Sequence, residues 1–410
     1  MASLFLGRAS LGLEDERSAR DAFERITRDF PGMPWAEEAA RALAEMDEDT
    51  IAWWTSAEVG FEHDDNPLLR GTGVGLPSEI AGQSDQRFYW FVDVGAAFFD
   101  VAGWQAGGML RYGGSEHLEL ERFDTHEPGA TLWMDRDLEV GEASLRLQYD
   151  LDVALIDYQG PADKPFVISH LVGASIYKPW QDGIYTIVGA RVGRDHYYGY
   201  DRSNFLPDDG SIGGPGTSCV DQSFSFCGPG SLNESDATDR DGTGIGLSLL
   251  QHFPPPLPGD FEALRDSWLE GEYLYQRYWS EGSECDHQRH QIEIGFGVGL
   301  PFEIGLRVSG PYGYLPYGNP SVFPDPSDVA AATARPPSPP DPGQDALEYF
   351  LDHSARREHE TGVRVSLERA LGEHVVLTTR DSRSRSRSTS DVFSHTRDLF
   401  GISIRVALGG

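Results

Sequence analysis

Ser169 and His170 stand side by side in "VISHLVG", and a hydroxyl beside an imidazole is the pairing from which acyl-transfer catalysts are built. The run around them alternates apolar and polar residues, so it is extended and consecutive side chains leave on opposite faces. The pair cannot act together. The chain carries no G-x-S-x-G elbow, P-loop or H-E-x-x-H motif, which argues against an enzyme. His353 and His359 in "HSARREHE" sit in or beside a long connection and have no metal-ligand context. Asp64, Asp65 and the loops "DPSD" and "DATDRDGT" match no twelve-residue calcium pattern and read as solvated acidic loops. No metal and no cofactor are expected.

Three cysteines occur, Cys219, Cys227 and Cys285. Cys219 and Cys227 bracket "CVDQSFSFC" in a Gly/Ser/Asp-rich stretch, where a disulfide would staple a loop in an oxidising compartment. Scattered thiols fit the spacing equally well, and Cys285 is left over in either case.

Charge narrows the partners. Against 33 basic side chains stand 66 acidic ones, a formal net charge of -33, and such a surface repels a phosphate backbone. Nucleic acid is excluded as a partner. No run of 18 apolar residues occurs, so a transmembrane helix is excluded too. A membrane can still be crossed by strands.

After residue 50 the apolar period becomes 2. In "HQIEIGFGVGLPFEIGLRVSG", Ile292, Ile294, Phe296, Val298 and Leu300 alternate with polar residues and glycines, "PFE" turns the chain, and Ile304, Leu306 and Val308 resume the pattern. About fourteen such segments follow one another. Their connections alternate long and short, apart from the Pro-rich "FPPPLPGDFEALR" in a tight position, the longest being 199–239 and 316–355. An even strand count with one long-loop and one short-turn rim predicts a mainly β fold, a transmembrane antiparallel barrel of about 14 strands. Aromatics near strand ends, among them Trp53, Trp54, Trp90, Trp104, Trp133, Tyr177, Trp180, Tyr197, Tyr278, Trp279, Tyr312 and Tyr314, suggest interfacial girdles. With apolar faces toward lipid, the lumen receives Glu58, Glu62, Asp93, Arg111, Arg146, Asp150, Asp152, Arg191, Glu270, Glu272, Glu293, Arg307, Arg364 and Arg405. Charges there either pair across the wall or guide a polar substrate.

Before the strands, residues 1–48 read as helices. In "DERSARDAFERITRDF", Ala19, Ala22, Phe23 and Ile26 share one face. Leu6, Gly7, Ala19, Phe23 and Pro31 follow an order that resembles the tetratricopeptide repeat. A single unit cannot bury its own apolar face, so further repeats and a signal peptide are expected upstream. The expected division is a periplasmic helical segment over 1–48 and an outer-membrane barrel over 51–410.

That helical segment, "SAEVGFEHDDNPLL" on the first strand with Asp64, Asp65, Asn66 and Pro67, and "SRSRSTSDVFSHTRDLFGISIRVAL" across the last two strands together resemble the surface lipoprotein assembly modifier family of Gram-negative bacteria. The resemblance implies a fourteen-stranded outer-membrane barrel with periplasmic repeats that delivers a surface lipoprotein or polypeptide client. Gly401, Ile404, Val406 and Leu408 keep most of the terminal pattern read by the barrel-assembly machinery, although the chain ends "RVALGG" without the usual aromatic. Two alternatives stand beside it, a polysaccharide export porin and a structural or adhesive surface barrel.

"TTRDSRSRSRSTSD" belongs to the penultimate strand. Period 2 puts Arg383, Arg385 and Arg387 on one face, at the outer rim, where they either bind lipopolysaccharide phosphates or pair with the acidic lumen and loops.

Overall fold

The computed structural model describes residues 16–29, 36, 39–43, 52–67, 84–101, 103–121, 124–138, 142–156, 166–181, 183–198, 240–254, 267–282, 285–320, 355–372, 374–389 and 393–409. Cys219, Cys227, the connection 199–239 and residues 321–354 lie outside the described residues, whereas 316–320, expected in the second long connection, continue a strand to Pro320.

Among the described residues, helix α1 (Glu16–Asp29) and the helical residues 36 and 39–43 precede fourteen strands. They are β1 (Trp53–Asp64), β2 (Asp85–Val101), β3 (Trp104–His117), β4 (Thr125–Leu138), β5 (Ala143–Ile156), β6 (Val167–Gln181) and β7 (Ile184–Tyr197). The second half comprises β8 (Gly242–Phe253), β9 (Trp268–Ser280), β10 (His287–Leu300), β11 (Ile304–Pro320), β12 (Ala355–Ala370), β13 (Val375–Ser388) and β14 (His395–Gly409). Each strand pairs antiparallel with its sequence neighbours, and β14 pairs back onto β1 over Trp54↔Gly409 to Asp64↔Leu399, closing the barrel. Closure leaves no edge, so the backbone groups of every strand have partners within the sheet.

The alternating sequence decides which side faces what. Val59, Phe61, Val92, Leu110, Leu132, Val172, Val188, Leu247, Ile294, Val363, Ile402 and Ile404 are exposed large apolar side chains on the outer surface. In water such a belt would be a severe liability, whereas against lipid it is the contact surface. Among the described residues no helix is long and apolar enough to cross a membrane. The strands supply the crossing.

The two rims differ. On one, β2–β3 and β6–β7 turn tightly through Gly103 and Gly183, both at φ 75°, a left-handed conformation that glycine adopts without strain. The β10–β11 turn uses Phe302 at φ 68° and Glu303 at φ 58°, non-glycine residues in the same region. The barrel's first strand begins and its last strand ends on this rim. The apolar face of α1 (Ala19, Phe23, Ile26) packs against Ala36 and Ala39, with Leu43 alongside, and α1 contacts β14. The helical cluster therefore sits at the short-turn mouth.

Candidate functional site: the barrel wall and its charged face

Register fixes which side chains share a face. Along β1, Glu62 opposes Arg87, Ser56 opposes Asp93 and Glu58 opposes Arg405. Following the pairs around the barrel puts Glu58, Glu62, Asp93, Arg111, Arg146, Asp150, Asp152, Arg191, Glu270, Glu272, Glu293, Arg307, Arg364 and Arg405 on one face, opposite the exposed apolar belt. Arg87, Asp135, Arg289, Glu360 and Arg380 have the same parity and belong with them. The alternation that located the first set was enough to locate these as well.

These groups form a web of ion pairs. Arg87 meets Glu62 at 2.6 Å, and Arg380 on β13 reaches past β14 to Glu58 at 2.5 Å. Arg111 reaches past β4 to Asp152 at 2.5 Å, with Asp150 at 3.9 Å. Arg364 meets Glu293 at 3.1 Å, Arg289 meets Glu360 at 2.6 Å, and Arg307 lies 3.7 Å from Glu270, each skipping one strand. Such reaches suit the concave side of a closed sheet, where side chains converge. Asp93 instead accepts a hydrogen bond from Ser56 at 3.0 Å. Glu272 directly opposes Glu293, a like-charge pair, and among the described residues Glu272, Arg191 and Arg405 have no ion-pair partner.

Several rings expected in the interfacial girdle face inward. Trp54, Trp133, Tyr177, Tyr197 and Tyr278 share parity with the charged residues, while Trp53, Trp90, Trp104, Trp279, Tyr312 and Tyr314 face out. The reason lies across the strand. Trp133 lies over Gly107 and Trp268 over Gly297 so closely that a Cβ on either glycine would sit 2.0 Å and 2.2 Å from the indole. Glycine opposite tryptophan lets the ring lie flat on the inner wall. Near the short-turn rim, Tyr177, Tyr185, His252 and Trp268 form a row with centroids 5.4, 4.6 and 5.7 Å apart, ending with the Arg307 guanidinium 5.2 Å from the Trp268 ring centre.

At the same mouth the helical segment enters the web. Arg41 donates to Asp135 at 3.0 Å, Arg146 donates to the same carboxylate at 2.8 Å, and both guanidiniums lie over Trp133, at 6.0 and 5.2 Å. No local pattern marks this contact, which joins residues 94 positions apart.

On the outer face, four strand pairs carry the same device. Tyr112–His126, Tyr149–His170, Tyr273–His290 and Tyr312–His359 are each joined from hydroxyl to Nδ1, at 2.9, 2.9, 2.9 and 3.0 Å. All four belong to strand pairs connected at the long-loop rim. Arg383, Arg385 and Arg387 also face outward, opposite Val363, Thr361 and His359, and Arg383 lies 3.4 Å from Asp398. Among the described residues no three His, Cys, Asp or Glu side chains gather as a metal site.

A closed fourteen-strand wall, apolar outside and charged inside, defines a β-barrel of the outer-membrane kind. No family model and no curated protein matches the sequence. Among solved structures the chain is similar to the anion-selective porin from Comamonas acidovorans, with 7% identity, a TM-score of 0.40, and 88% of this chain and 99% of the porin covered. It is similar also to OprB of Pseudomonas putida, at 9% identity and TM-score 0.41, covering 91% of this chain and 97% of that one. OmpT, an outer membrane protein of Vibrio cholerae, gives 8% identity and TM-score 0.40, with 88% and 98% covered. Likeness at this level carries no argument about this chain, whose barrel rests on its own strand pairing.

Proposed function

We propose that this chain is a transport barrel through which a polar client leaves the periplasm, with the short-turn rim periplasmic and the helical segment as the docking element at that mouth. The observation that carries the reading is the opposition of the two faces. An apolar belt meets lipid while Glu58, Arg111, Glu272, Glu293 and Arg364 line a charged interior that only a hydrated solute would use. Delivery of a surface lipoprotein or polypeptide rests on the family resemblance, with the fourteen charged residues as lumen lining.

A glycan client is the second reading, favoured by the flat inward rings. Trp54, Trp133 and Trp268 lie on the wall beside Arg146, Glu270 and Arg307, and sugar rings are held by aromatic faces flanked by charged hydrogen-bonding groups. Reconstitution of the full chain in planar bilayers tests the transport reading. The expected result is ohmic conductance that Glu272→Gln shifts toward anions, because Glu272 faces Glu293 with no ion-pair partner of its own among the described residues. A folded barrel that never conducts, and whose deletion leaves export intact, sinks both clients. Partial block by a soluble oligosaccharide but not by a peptide selects the glycan.

A further inference from the structure

The outer end of β13 is anomalous for a surface that faces lipid. Its outward residues run Leu377, Thr379, Asp381, Arg383, Arg385, Arg387, and the three arginines are exposed. In a chain of net charge -33, positive charge concentrated on a lipid-facing wall calls for an anionic occupant.

Register gives their depth. Arg385 pairs with Thr361, which pairs with Tyr312, and Arg387 pairs with His359. These rows coincide with the Tyr312–His359 pair, one of the four tyrosine–histidine pairs toward the long-loop rim. At about 3.4 Å per residue and a tilt of roughly 40°, Arg385 stands about 26 Å above Val375, at the top of an apolar band about 25 Å tall. With the long-loop rim outward, as in the orientation proposed above on which this inference rests, Arg385 and Arg387 stand at the headgroup level of the outer leaflet.

Ion pairing separates the three. Arg383, the deepest, has Asp398 at 3.4 Å, but among the described residues Arg385 and Arg387 have no carboxylate partner. His359 joins them from β12: in the tautomer whose Nδ1 accepts from the Tyr312 hydroxyl, Nε2 carries the proton and faces out as a donor. Two guanidinium forks and an imidazole N–H on adjacent strands match the oxygens of a phosphate monoester.

We propose that Arg385, Arg387 and His359 form a binding site for a phosphate group of a phosphorylated glycolipid of the outer leaflet, whose acyl chains lie along the apolar wall below. The occupant is a lipid because the site opens sideways, with Val363 and Phe400 exposed beneath it.

The test uses the full-length barrel, purified folded in detergent, and three probes: bis-phosphorylated lipid A, its enzymatically dephosphorylated form, and inorganic phosphate. Expected are retention of the phosphorylated lipid, loss of at least about tenfold in affinity on dephosphorylation, and a similar loss in the R385Q/R387Q double variant. Arg191→Gln, on the opposite face, should leave binding unchanged. Equal binding of the dephosphorylated lipid to the unaltered barrel overturns the proposal even if the double variant fails to fold. Equal binding by a folded double variant overturns it too, as does displacement of the lipid by inorganic phosphate at matched phosphate concentration.

Discussion

Asp135 shows what single residues contribute here. Its carboxylate takes Arg146 from the neighbouring strand and Arg41 from the helical segment, and both cations share the Trp133 ring. Arg146 and Asp135 belong to the wall and hold each other, whereas Arg41 comes from outside it. Arg41→Ala should therefore leave the barrel folded, checked by its mobility in unheated detergent gels, while undocking the segment. One partly buried, charge-assisted bond is worth about 1.5–3 kcal/mol, so the ratio of docked to undocked segment should fall about tenfold or more. Limited proteolysis of residues 16–43 reads that loss directly. The Arg41–Asp135 contact was not legible in the sequence, because a pairing across 94 positions leaves no periodic trace. The face of a strand residue such as Arg380 is different, since parity along one strand is a local property.

At the scale of elements, alternation and turn chemistry were legible and register was not. "PFE" marks a turn, yet period 2 alone cannot say that Tyr273 meets His290 diagonally or that Gly107 lies beneath Trp133. Those contacts depend on how far one strand slides along the next, which the turns set. Position near a strand end does not separate the inward Trp54 and Trp133 from the girdle, because an aromatic there looks alike from either face. The β10–β11 turn carries a local conflict, since Phe302 and Glu303 both hold positive φ where Asn and Gly would be at ease. Replacing the pair by Asn-Gly should stabilise the hairpin by about 1 kcal/mol, seen as a higher urea midpoint of refolding in detergent. The opposite outcome is expected for Gly297→Ala. Its Cβ would meet Trp268 at 2.2 Å, forcing that ring off the wall and breaking its stack with Arg307, and the barrel should lose stability by about 1–3 kcal/mol in the same assay.

For the whole molecule, what matters is that the sheet is closed. Fourteen strands with an apolar outside are stable in hydrocarbon only if β1 and β14 meet, since each unpaired backbone group in lipid costs several kcal/mol. Deleting residues 395–409 should therefore abolish the compact, heat-modifiable form completely, where deleting residues 16–43 should not. The strand count and the alternation of long and short connections were legible because each strand pairs with its sequence neighbour, so topology is written in order along the chain. The seam is the exception. Asp64 and Arg397 bond across 333 positions, whereas the other ladders join strands consecutive in the chain. Thirteen hairpin contacts can zip progressively as the polypeptide emerges, but the fourteenth waits for the last strand to arrive. Until then the first strand is an open template at the membrane, available to any partner that offers a matching edge. Barrel closure is thus a competition for β1 that β14, arriving last and already tethered to the rest of the sheet, wins through its high effective concentration.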